Sequence, residues 1–70
     1  MTMTDTSHAL WVAYGERGVA GSIRREAAEH IVTMSGAATP LGSYPSMEIA
    51  KRALHAHMPQ GSDWPRFVQH

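Results

Sequence analysis

The sequence predicts an α+β domain: a three-stranded antiparallel sheet packed against one C-terminal helix. Three observations lead there. Residues 41–58 carry a continuous set of helix signals. Two β-rich runs flank a Gly-x-x-Gly turn at Gly15–Gly18, and a third such run, His30 to Met34, lies between hairpin and helix. A β-hairpin followed by two helices is the alternative arrangement.

The helix is defined from both ends. Ser46 can accept from a free amide of the first turn, Pro45 sets the chain's approach, and Glu48 places an anion where the dipole favours one. Ile49, Ala50, Ala53, Leu54, His57 and Met58 share one arc, and Glu48, Lys51, Arg52 and His55 the opposite one. Pro59 disfavours helical geometry in the residue before it, so the helix should end near Met58.

From His8 to Tyr14 the chain alternates as a strand, with Leu10, Val12 and Tyr14 on one side and Ala9, Trp11 and Ala13 on the other. After the turn, Val19, Gly21 and Ile23 alternate against Ala20, Ser22 and Arg24. Residues 22–34 also fit a helix capped by Ser22 and ended by Gly36. The strand reading, with a turn at Ala27–Ala28, is preferred because a lone hairpin is marginal and a third strand gives the helix a surface to cover. Residues 35–40 read as a loop and residues 59–63 as a turn. Trp64, Phe67 and Val68 are too apolar for solvent and should fold back over the helix end or the sheet edge.

Residues 1–7 read as a disordered tail and residues 8–70 as a single domain. The polar start MTMTDTSH has neither the basic region nor the apolar run of a signal peptide, and no stretch has the ~20 apolar residues of a membrane span. Cysteine is absent, which fits a reducing cytoplasm and rules out thiolate metal sites and cysteine nucleophiles. Six basic residues balance six acidic ones, and this zero net charge disfavours a nucleic-acid partner.

Strand, strand, strand, helix, with LGSYPSMEIAKRAL at the last junction, resembles the ethylene-response-factor type of DNA-binding domain and the arm-binding domains of phage integrases. In those families a run ending Gly-x-Tyr precedes an Ala-rich helix with Glu near its start. Leu41, Gly42, Tyr44, Glu48, Ala50 and Ala53 match that pattern, and Val19 to Arg25 resembles the second strand. The resemblance implies DNA contacts from Arg and Trp side chains on the strands. Here it selects Trp11, Arg17, Arg24 and Arg25, with Glu16 and Glu26 beside them. By size and composition the chain also resembles short single-domain proteins of high-GC bacterial genomes.

Five histidines raise the question of a metal. His55 and His57, two apart on a helix, point about 200° away from each other and cannot chelate together. His57 reads instead as a partly buried residue packing on Trp64 or Phe67. Gly15-Glu16-Arg17-Gly18 matches the loop that clamps RNA in KH domains, but that loop joins helices and this one joins strands. Glu26 and Glu29 read as solvated turn residues rather than a catalytic pair, and no serine lies in a nucleophile elbow.

The expected function is therefore a small non-catalytic interaction module, cytoplasmic, acting through an open sheet face or by self-association. It needs no cofactor and no metal, and its partner is another protein or a second copy. The alternative is a weak nucleic-acid-binding domain using the same face. If Leu10, Val12 and Ile23 face the helix, Trp11 and Arg24 lie on the open face with Ala13 and Ala20. Trp11 there is either an exposed anchor or covered by the 64–68 tail.

Overall fold

A computed structural model describes residues 9–70. The expected tail, residues 1–7, and His8 at the start of the first strand lie outside the described residues. The chain folds as β1 (Ala9–Gly15), β2 (Gly18–Glu26), β3 (Glu29–Met34), β4 (Gly42–Tyr44), α1 (Met47–Ala56) and β5 (Arg66–Gln69). The strands form one antiparallel sheet in the order β4-β3-β2-β1-β5. The class is α+β, as expected, with one helix. Among the described residues the sheet has five strands rather than three, and the helix is not C-terminal because β5 follows it.

Short turns set the local path. Gly15 pairs with Gly18 across Glu16–Arg17, and Gly18 takes a φ of 113°, open only to a residue without a side chain. Ala27–Ala28 joins β2 to β3, as the strand reading of residues 22–34 requires, with Ala27 at a φ of 55°. The left-handed region costs a residue with a Cβ about 1–2 kcal/mol. The loop after β3 returns as β4, which adds to the sheet just before the helix.

The helix cap forms as the sequence implies. Ser46 is extended, and its Oγ accepts from the Ile49 amide at 3.2 Å. At the other end the His57 and Met58 amides donate to Leu54 and His55, tightening the last turn before Pro59. The buried side of the helix is rotated from the expected arc. Ala50 and Leu54 are fully buried and Met47 and Met58 pack on the core, while Ile49 is 44% exposed and His57 is exposed. Lys51, placed on the outer arc by its charge, is half-buried with Nζ 5.1 Å from the Phe67 ring centre. The cause is β5, whose Phe67 supplies an aromatic surface on that flank and lets the lysine stem lie against it.

The core lies between the helix and one sheet face. Ala13, Ile23 and Val32 from the strands meet Ala50 and Leu54 from the helix. Gly21 is the notch in this face. A Cβ there would stand 2.8 Å from the Thr33 carbonyl oxygen and 3.2 Å from Leu54 Cδ1, so the helix can settle only because the side chain is missing.

The 59–65 connection is pinned to the helix. The His55 Nε2 group donates to the Ser62 carbonyl at 2.9 Å, and the His55 ring lies 4.9 Å from that of Trp64. Trp64 meets Phe67 edge-on at 6.3 Å, and Pro65 is buried. The apolar tail thus covers the sheet edge by becoming a strand of it, and the histidine that packs on Trp64 is His55 rather than His57.

Three stability outcomes follow. Leu54→Ala removes the largest helix side chain from the core and should cost about 2–5 kcal/mol in denaturant unfolding. Arg52→Ala, at an exposed position, should stay within about 0.5 kcal/mol. Ala27→Gly should raise stability by up to about 1 kcal/mol, because relief of the left-handed strain outweighs the added freedom of the unfolded chain.

Candidate interaction surface

Pairing register decides which side chains share a face. Near the turn Gly15 opposes Gly18 and Tyr14 opposes Val19, but beyond it Ala13 opposes Gly21 and Trp11 opposes Ile23. Ala20 is the extra residue of a β-bulge. Without the bulge, Leu10 would have faced Ile23. With it, Trp11 stands beside Ile23 on the helix side, and Leu10 and Val12 turn outward.

The four expected binding residues therefore do not come together. Trp11 is half-buried on the helix side, 6.5 Å from the His30 ring, with Gln69 opposite it on β5. Among the described residues the buried His30 Nδ1 has no hydrogen-bond partner. Arg25 is on the same face, opposite Ala9 and His30. Arg17 is at the tip of the first turn. Arg24 alone lies on the open face, with its Nε 2.9 Å from Glu26 Oε2. The tail does not cross that face to cover Trp11, because β5 extends the sheet sideways.

What the open face presents is an apolar strip along β1 and β5. Leu10, Val12 and Val68 are half-buried, and no described element packs over them. Ser22, Thr33 and Ser43 lie toward β4, with Ile31 between Arg24 and Ser43 in one row. Tyr14 borders the strip near the first turn. Its hydroxyl is hydrogen-bonded to His70 Nε2 at 3.1 Å, and the Arg66 guanidinium is 5.7 Å from its ring centre. The sequence signal for this part of the surface was the apolar content of Trp64, Phe67 and Val68, which called for cover without declaring a strand.

At the turn end of the sheet an open cleft of about 880 Å³ lies between the β1–β2 turn and the 57–66 segment. Arg17, Met58, Asp63 and Trp64 line it, a mixture of both charges and apolar groups. The histidines are dispersed: His30 is on the helix side of the sheet, His55 is bound to the Ser62 carbonyl, His57 donates through Nδ1 to the Ala53 carbonyl, and His70 is beside Tyr14. No three His, Cys, Asp or Glu groups among the described residues are placed to hold a metal ion. Zinc in stoichiometric amount should leave the thermal midpoint unchanged at neutral pH, and a rise of several degrees in a melting scan would show a converging set.

Among the described residues no helix is long and apolar enough to cross a membrane. No model of a known protein family, no curated protein and no solved structure matches this chain.

Proposed function

We propose that this protein is a small non-catalytic interaction module that takes a protein partner on the open face of its sheet. The observation that carries the reading is the uncovered strip of Leu10, Val12 and Val68, framed by Tyr14, Arg24 and Arg66. An apolar centre with aromatic and arginine neighbours is the composition that interface cores favour. The dispersed histidines and the surface position of the charged side chains support a binding role over a catalytic one. A reducing, cytoplasmic setting belongs to the same reading and rests on the absence of cysteine.

The nucleic-acid alternative, with the family resemblance behind it, has less support. Of Arg17, Arg24 and Arg25 only Arg24 lies on the open face, already beside Glu26, and Arg66 is the other arginine there. Two phosphate contacts correspond to a log-log salt slope of about −2, the range of weak non-specific binding.

The test is retention of a partner on the immobilised full chain, with Val12→Glu as the face variant and Arg25→Glu as the helix-side control. A protein retained by the native chain and by Arg25→Glu, but lost with Val12→Glu while the circular dichroism melt is unchanged, is the expected result. Retention indifferent to Val12→Glu would remove the face from the interaction. Sub-micromolar duplex binding at physiological salt, abolished by Arg24→Glu, would favour the DNA reading instead.

A further inference from the structure

The two edges of the sheet are not alike. On one side β4 has only three residues, closely bracketed by Pro40 and Pro45. Short strands and prolines keep an edge from pairing with another chain. The other edge, β5, is four residues long and follows Pro65, but Phe67, Val68 and Gln69 carry no proline among them.

Which backbone groups that edge presents can be worked out from the ladder. The His70 amide donates to the Leu10 carbonyl at 2.8 Å, which makes Leu10 and His70 a hydrogen-bonded pair. Hydrogen-bonded and non-hydrogen-bonded pairs alternate in an antiparallel ladder. Val12–Val68 and Tyr14–Arg66 are therefore hydrogen-bonded, while Ala13–Phe67 and Trp11–Gln69 are not. The N–H and C=O groups of Phe67 and Gln69 consequently point away from β1, toward the free edge.

We infer that β5 pairs with β5 of a second copy of this chain, antiparallel and centred on Val68, to make a continuous ten-stranded sheet. This inference does not rest on the partner-binding role of the open face. A two-fold axis at Val68 sets Phe67 opposite Gln69 of the other copy in both directions. Every outward donor and acceptor of these residues is then used. A register centred on Phe67 would set Pro65 against Gln69, and proline has no N–H to give, so the Gln69 carbonyl would stay unbonded. The Val68 register also joins the two apolar strips into one row, Val12–Val68–Val68–Val12, and adds a cross-strand valine pair. On the helix side, Trp64, 54% exposed and in edge contact with Phe67, borders the seam.

The experiment is sedimentation equilibrium of the full chain from dilute to concentrated solution, with two variants. The native chain should pass from monomer to dimer mass. Gln69→Pro removes an outward amide that β1 does not use, so it should keep the fold and weaken self-association at least about tenfold. Val68→Cys should cross-link to a covalent dimer on mild oxidation. Residues opposed in a non-hydrogen-bonded pair have Cα atoms about 4.5 Å apart, inside the range a disulfide spans. Val12→Cys, one strand inward, should not cross-link. A native chain that stays monomeric throughout overturns the inference, as does a dimer indifferent to Gln69→Pro. Cross-linking through Val12→Cys in preference to Val68→Cys would mean face-to-face association and would also overturn it. If Gln69→Pro unfolds, the cysteine pair decides alone. Because Gln69→Pro leaves Val12 in place, loss of the dimer and loss of a partner from the open face can be read separately.

Discussion

The close seating of Leu54 against the Gly21 notch is the contact on which the rest of this structure depends. Among the described residues a single helix must cover one side of a five-stranded sheet, and the core it makes there has five buried hydrophobic side chains. Such a small core leaves little margin, since a domain of this length holds its stability as a small difference between large terms. Dropping the helix onto β2 requires a strand residue with no Cβ where Thr33 and Leu54 converge.

The tail completes what the helix cannot reach. The helix lies over β2, β3 and β4, so β1 needs its own neighbour. The 59–65 connection supplies it by anchoring Ser62 and Trp64 to His55, which delivers β5 to the free side of β1. The consequence for function is a division of surfaces. Among the described residues one face is spent on the core, nothing packs on the opposite face with its apolar strip on β1 and β5, and no strand pairs with the outer edge of β5. The proposed binding surface therefore draws on β1 and β5 rather than on the arginines of the hairpin.

Trp11 shows how the facing of a strand can differ from expectation even where that strand and its partner are correctly located. Its strand, its partner strand and its alternation were all legible in the chain. The single bulged residue Ala20 reverses which half of β1 meets the helix. Gly21 inside the strand is compatible with a bulge or with a close approach, and the residues Val19-Ala20-Gly21 do not say which. Arg24 and Arg25, adjacent in sequence, necessarily fall on opposite faces, so a binding site that needs both from one sheet face does not exist here.

The sequence by itself determined the parts governed by local chemistry: the Ser46 cap and Glu48 in the first turn, the stop before Pro59, and the Gly15–Gly18 turn. Each depends on neighbours within a few positions, where capping, propensity and turn geometry act directly. Tertiary structure alone decided the bulge at Ala20, the short β4, the conversion of the apolar tail into β5, and the helix rotation that buries the stem of Lys51. Gly42–Tyr44 and Arg66–Gln69 are too short to declare themselves as strands, and they become strands because β3 and β1 offer edges with unpaired backbone groups. Those edges exist only after the sheet has assembled, so their effect on chain direction and side-chain facing could not be read from the local pattern.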